Sequence, residues 1–242
     1  MLNILVPLAG KSYFFDSEKD GFPKAFVEIC GKTMLEHFVK NYENVKDKRF
    51  IFILKEDETK RYFIDDAINV LTNYKSKNII LKKETGGMVC SCLMAIDEIK
   101  GDEPLLVVNM DQIFEYDLNE LILKFLHHDA GVLSFESVHP RFSYVKTDEK
   151  NNILQSYEKQ PKSKNAIAGF YYFKNGDSFI NAAQSVIIKD MNYEGKYFIS
   201  FVLNELILQN KKVINVSIDK DRYFTFYSPA KINEYERIKN GK

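Results

Sequence analysis

Four short apolar runs recur through the first half of the chain, and they constrain its fold more than any other feature. Leu2-Asn3-Ile4-Leu5-Val6, Phe50-Ile51-Phe52-Ile53-Leu54, Asn78-Ile79-Ile80-Leu81 and Leu105-Leu106-Val107-Val108 read as strands. Apolar residues at successive rather than alternate positions mark strands covered on both faces, as in the parallel sheet of an α/β protein. The intervening segments carry a helical period. Residues 33–42 place Met34, Leu35, Phe38, Val39 and Tyr42 on one face, and Thr33 with Glu36 three residues on forms a capping-box pattern. The spacing predicts further helices over 62–71 and 88–99. Parallel strands need crossover connections, so strand and helix alternating in this way mean βαβ units.

After about residue 130 the pattern changes. Short strands are expected over 132–135, 144–146, 153–158 and 167–173, with few helices between them. Helices return over 176–188 and 199–209, followed by strands over 213–218 and near Phe224 and a last helix from Pro229. No low-complexity linker or internal repeat separates the two parts. The expectation is one domain over 1–242, with an α/β half over about 1–130 and a mixed-sheet half over about 131–242. The fold class is α/β, a mixed sheet whose central, mostly parallel strands are flanked by helices. Ligands of such sheets bind beyond the carboxyl ends of the strands, which directs attention to the residues just after each run.

Composition narrows the function. Lys+Arg and Asp+Glu are both 34, so the net charge is zero, unlike the basic excess of a dedicated nucleic-acid binder. No apolar run approaches the roughly 20 residues of a membrane span, and the opening Met1–Ile4 lacks the n- and h-regions of a signal peptide. Cys30, Cys90 and Cys92 form neither a CxxC pair nor an even set. A soluble cytoplasmic protein without nucleic-acid or membrane partners is expected.

Three segments could carry chemistry. Gly10-Lys11-Ser12 is not a P-loop, because the motif would need a glycine at position 5, where Leu5 stands. What remains is a strand ending in the small residues Ala9 and Gly10, whose N–H groups suit a triphosphate, with Lys11 and Lys24 as charge. An ordinary surface loop explains the same residues. Asp111, in Asn109-Met110-Asp111-Gln112, follows a buried strand and is placed either to hold a divalent metal or to cap the next turn or helix. Thr85-Gly86-Gly87 joins a strand to a helix, and its glycines suit close approach by a ligand or a plain turn.

Taken in order, these pieces resemble the nucleotidyltransferases of the sugar-nucleotide type, which share a GT-A-like, Rossmann-like fold. Leu8-Ala9-Gly10 with Pro23-Lys24 is similar to that family's opening loop and phosphate lysine. Gly31-Lys32-Thr33-Met34-Leu35-Glu36, Thr85-Gly86-Gly87, Asp111, Glu158-Lys159, Ala168-Gly169-Phe170-Tyr171, the stretch 194–200 and Tyr227-Ser228-Pro229 continue the series. The resemblance implies transfer of a nucleoside monophosphate from a triphosphate onto an acceptor phosphate, with Mg²⁺ as cofactor and pyrophosphate released. It implies Lys24 and Asp111 as catalytic residues, with Asp111 also the metal ligand. Leu8, Ala9, Gly10, Lys11, Thr85, Gly86 and Gly87 would bind the nucleotide, and Lys159 and Gly169 the acceptor.

The chain also departs from the family pattern. Ser12 and Phe14 stand where the opening loop usually has a glycine and an arginine. Thr225 stands where many members have a second metal aspartate, which leaves Asp219, Asp221 or Asp111 alone to supply carboxylate. Within the family, the 10–15 segment and the Asn-Met-Asp-Gln box look most like a capsule-biosynthesis branch of CTP:phosphoglutamine cytidylyltransferases. The expected donor is therefore CTP and the expected acceptor a small phosphorylated metabolite. The alternatives are a sugar-1-phosphate uridylyl- or thymidylyltransferase and an inactive nucleotide-binding regulator.

Overall fold

A computed structural model describes residues 1–10, 14–15 and 22–241. The chain opens with β1 (Leu2–Pro7), buried from Leu2 to Val6. A single 3-10 turn (Lys24–Phe26) and a small hairpin, β2 (Glu28–Ile29) with β3 (Lys32–Thr33), lead into α1 (Met34–Asn41). The capping box forms as expected. Thr33 Oγ1 accepts the Glu36 N–H at 3.2 Å, and the Glu36 carboxylate accepts the Thr33 N–H at 2.7 Å. Next come β4 (Lys48–Lys55), α2 (Glu56–Tyr62), α3 (Ile64–Leu71), β5 (Ser76–Leu81) and α4 (Met88–Leu93).

Two expected helices are redrawn here. The one over 62–71 starts only at Ile64, because Phe63 adopts a left-handed φ of 54° that ends α2 and begins α3. The one over 88–99 stops at Leu93 and gives way to a 3-10 turn at Ile96–Glu98.

The second half contributes β6 (Leu105–Val108), β7 (Gln112–Phe114), α5 (Leu118–Leu123), β8 (Ala130–Glu136), β9 (Tyr144–Thr147), β10 (Ile153–Tyr157) and β11 (Asn165–Phe173). It closes with α6 (Gly176–Ile188), α7 (Ile199–Leu208), β12 (Val213–Ser217), β13 (Tyr223–Thr225) and α8 (Pro229–Asn240).

Nine of these strands share one sheet. Its first part is parallel, in the order β5-β4-β1-β6. β11 then runs antiparallel to β6, β8 antiparallel to β11, and β12 parallel to β8. The β9–β10 hairpin joins the other end of β11 through Tyr144 and Ala166. The mixed sheet with a parallel centre is thus the one expected. Alternate residues enter two separate cores: Ile4, Val6, Phe50 and Phe52 on one face, Leu5, Ile51 and Ile53 on the other. Both faces are covered, which is why the strands read as unbroken apolar runs.

Candidate active site

The parallel order β5-β4-β1-β6 contains one topological switch. The chain leaves β1 toward β4 and β5, then returns to place β6 on the opposite side of β1. The crevice at such a switch is where open α/β sheets bind ligands. Here it lies between the turn after β1 (Leu8, Ala9, Gly10) and the turn after β6 (Asn109, Met110, Asp111). A cavity of about 620 Å³ opens there, walled by Leu8, Gly10, Lys24, Asn109 and Asp111 beside β1 and β6 and by Lys55, Glu58, Leu81 and Glu84 beside β4 and β5.

The β1 turn is pinned by the Leu8 N–H, which donates to the Ile53 carbonyl at 2.8 Å. Ala9 is buried, whereas a Cβ at Gly10 would meet nothing within 4 Å among the described atoms. Lys11 and Ser12 lie outside the described residues.

Lys24 begins the 3-10 turn that follows Pro23, and its amine lies 2.5 Å from Asp111 Oδ2 across 87 residues of sequence. The side chains are 26% and 17% exposed, so the pair is enclosed but reachable. The Phe15 ring stands 5.8 Å from the same amine. Asp111 caps no helix; Asp117 caps α5, accepting the Asn119 N–H at 2.9 Å.

Hydrogen bonds to distant segments hold the turn that carries Asp111. The Gly169 carbonyl accepts from the Asn109 N–H at 3.0 Å and from Gln112 Nε2 at 2.9 Å. The Tyr223 hydroxyl donates to Gln112 Oε1 at 3.1 Å, and the Phe226 N–H donates to the Asp111 carbonyl at 2.8 Å. With its backbone carbonyl engaged by Phe226, Asp111 offers its carboxylate to the cleft. Burial and the Asp111 charge both push the Tyr223 hydroxyl well above the usual tyrosine range, so it stays a hydrogen-bond donor.

Gly169 has φ +59°, and a Cβ there would lie 2.3 Å from Asn109 Nδ2. The space beside it is taken by the Asn109 side chain, so Gly169 positions the Asp111 turn. The close approach at Thr85-Gly86-Gly87 also comes from within the chain. Gly87 has φ +131°, and a Cβ there would lie 2.6 Å from the Tyr197 backbone. The Tyr197 N–H donates to the Gly86 carbonyl at 2.9 Å, and Thr85 Oγ1 bonds the Gly87 carbonyl and Ser91 Oγ. The flanking Glu84 and Met88, rather than the glycines, wall the cavity.

Lys159 is not brought to this wall. Its amine lies 5.1 Å from the ring centroids of both Tyr193 and Phe198. Its neighbour Glu158 is buried and accepts from Ser143 Oγ at 2.5 Å and Ser200 Oγ at 2.7 Å. Burial raises the Glu158 carboxyl above the ordinary range against the pull of those two hydroxyls.

Among the described residues, Asp111 is the carboxylate that the β6 end of the cavity offers a metal. Among the described residues no three His, Cys, Asp or Glu side chains converge. Thr225, at the position where many members of the resembled family carry a second aspartate, pairs with Gln112 in the β7–β13 ribbon. Asp219 does not replace it: it bonds the Tyr116 hydroxyl at the far end of that ribbon, on the order of 15 Å away at about 3.3 Å per residue. Asp221 belongs to the adjoining Lys220–Arg222 turn. The donor set suits Mg²⁺, which binds through one or two carboxylates when phosphate oxygens complete its shell.

Sequence reasoning missed Lys55 and Glu58, a pair 3.4 Å apart on the cavity wall. Their position just after β4 was the available signal. It also missed Arg141, whose guanidinium carbon lies 3.3 Å from the centroid of the Tyr227 ring.

The nucleotidyl transferase family profile matches residues 20–221, and the chain belongs to that family. The bifunctional protein GlmU of Methanocaldococcus jannaschii is 29% identical over 175 residues, covering 71% of this chain and 40% of that protein. The chain thus spans well under half the length of that relative. Among solved structures, a nucleoside-diphosphate-sugar pyrophosphorylase from Vibrio cholerae superposes with a TM-score of 0.84 at 21% identity, covering 97% of this chain and 99% of the other. A candidate glucose-1-phosphate thymidylyltransferase from Bacillus anthracis gives 0.78 at 16% identity, covering 98% and 95%. At these identities the likeness is one of fold.

Proposed function

We propose that this nucleotidyl transferase moves a nucleoside monophosphate from a nucleoside triphosphate onto the phosphate of a small phosphorylated acceptor. An acceptor oxygen forms a bond to the α-phosphorus, the bond to the β-phosphate oxygen breaks, and pyrophosphate leaves. The observation that carries this reading is the Lys24–Asp111 pair at the mouth of the switch-point cavity. The nucleophile is already an anion, so no general base is required. The protein's task is to hold two polyanions in line and offset their charge.

Lys24 exchanges Asp111 for a phosphate oxygen when the triphosphate enters, and Ala9 and Gly10 offer backbone N–H groups, with Lys11 in the same loop. Asp111 would then be free to hold Mg²⁺, which would supply positive charge against the phosphate oxygens. Glu84 and Met88, carried by the Thr85-Gly86-Gly87 turn, wall the end of the cleft that would receive the base. The same reading places the protein in the cytoplasm, where nucleoside triphosphates are kept; no helix among the described residues is long and apolar enough to cross a membrane.

A sugar 1-phosphate is the first choice of acceptor, supported by the similar proteins whose descriptions state a substrate. A second reading, CTP with phosphoglutamine, is favoured by the cations of the second half. Arg141 on Tyr227 and Lys159 between Tyr193 and Phe198 suit an acceptor that carries a carboxylate besides its phosphate. The test is pyrophosphate release from each of ATP, GTP, CTP, UTP and dTTP with Mg²⁺, with glucose 1-phosphate or phosphoglutamine as acceptor. Acceptor-dependent release supports transfer, and the acceptor that works decides between the readings. Nucleotide binding without release in any combination would favour a regulator instead.

A further inference from the structure

We propose that Glu58 reads the ribose of the donor by accepting a hydrogen bond from its 2′-hydroxyl, so that the chain uses ribonucleoside rather than 2′-deoxyribonucleoside triphosphates. The inference rests on the nucleotide cleft proposed above and narrows its substrate class. It starts from the order of groups along the cavity. The cavity follows the carboxyl ends of β6, β1, β4 and β5 in turn, three strand spacings or about 14 Å of sheet edge. Asp111 and Lys24 stand at the β6 end, where the phosphates belong, and Glu84 follows β5 at the other. In a nucleotide the sugar lies between phosphate and base, so the inner part of this track, the ends of β1 and β4, receives the ribose.

The end of β4 presents Lys55 and Glu58. Of the four carboxylates on the cavity wall, Asp111 is paired with Lys24, and Asp57 and Glu84 are exposed. Glu58 is different. Its side chain is 12% exposed, and its one hydrogen bond among the described residues is a long 3.4 Å contact from Lys55. A carboxylate can accept about four hydrogen bonds, so most of its capacity is unused. Burial raises the Glu58 carboxyl above the ordinary range while the Lys55 ammonium opposes that shift and favours the ionised acceptor. Rossmann dinucleotide folds use an acidic residue about 20 residues beyond their first βα turn to bond a ribose hydroxyl. Glu58, in the first turn of the helix after the strand next to β1, offers the same kind of group here. The plain alternative is an i,i+3 ion pair that steadies the start of α2.

The experiment needs no acceptor. Thermal-shift and calorimetric titrations with Mg²⁺ compare CTP with dCTP, UTP with dUTP, ATP with dATP and GTP with dGTP, on the wild type, Glu58→Ala and Glu58→Gln. The wild type should bind the ribonucleotide of its preferred base tighter than the deoxy form by roughly 10- to 100-fold. Glu58→Ala should bring that ratio near one, and Glu58→Gln, which still offers one acceptor oxygen, should fall between. A wild type that binds both sugars alike would overturn the proposal. So would variants that melt earlier yet keep the ratio, since the pair would then be structural only. Silence from every nucleotide would overturn the cleft assignment itself, a different result from loss of sugar discrimination.

Discussion

The two halves of the sheet use polar groups in opposite ways. In the parallel half, Lys24 and Asp111 meet at a cavity mouth, each partly exposed and each able to change partner. In the antiparallel half, Glu158 is sealed under two serine hydroxyls, and the space at Gly169 is filled by Asn109. The difference follows from topology. A parallel strand order with a switch leaves a crevice at the strand ends, whereas β11, antiparallel to β6, closes the sheet over its neighbour. Chemistry is therefore expected where charges can be exchanged, and stability where they are already satisfied.

The contrast can be broken most severely at Asp111. Asp111→Ala should lower Mg²⁺-dependent turnover on the order of 100- to 1,000-fold with a near-native melting temperature, read by pyrophosphate release and calorimetry. Turnover within a few-fold of wild type would remove Asp111 from the chemistry. Lys24→Met should cost somewhat less, on the order of 100-fold, because the loop retains backbone donors and Lys11 for the triphosphate.

The glycines sharpen the comparison on the stability side. Gly87→Ala and Gly169→Ala each combine a left-handed φ with a neighbour inside van der Waals distance. Each should destabilise by about 2–3 kcal/mol, a melting shift of roughly 5–10 °C. Gly10→Ala, whose added Cβ meets no described atom within 4 Å, should leave the melting point of the ligand-free protein unchanged and weaken nucleotide binding instead. Equal melting points for all three variants would contradict the packing described at Gly87 and Gly169.

The smallest effect concerns Glu158. Burial raises its folded-state pKa, so its contribution to stability is fully present below the unfolded value and is lost as pH rises through the folded one. Glu158→Gln has no charge to desolvate and should gain on the wild type as pH is raised from acid to neutral. Melting curves across that range check the sign, and a difference independent of pH would contradict it.

Much of this was legible in the sequence for physical reasons. Runs such as Phe50–Leu54 could only be covered strands, and Thr33 with Glu36 could cap α1 from local geometry alone. Asp111 and Lys24 were legible as separate strand-end and loop residues, and their pairing emerges only from the fold. What stayed hidden depends on distant neighbours. Gly86 and Gly87 look like a ligand turn until Tyr197, more than a hundred residues later, is seen to fill the space. The break at Phe63 is equally opaque, because an aromatic residue carries no signal for a left-handed φ. Glu58 reads as an ordinary charge on a helix until the residues just after β4 prove to wall the cavity.

The central claim is that the cavity at the switch point binds a Mg²⁺–nucleoside triphosphate through Lys24 and Asp111. A thermal-shift titration with ATP, GTP, CTP and UTP, each with Mg²⁺, tests it most directly. At about 100 times its Kd, a ligand stabilises by roughly 2.7 kcal/mol, a shift on the order of 5–10 °C for a chain of this size. The account predicts such a shift for at least one nucleotide, with its Mg²⁺-dependent part lost in Asp111→Ala. No shift from any of the four, or a shift untouched by that substitution, would contradict it.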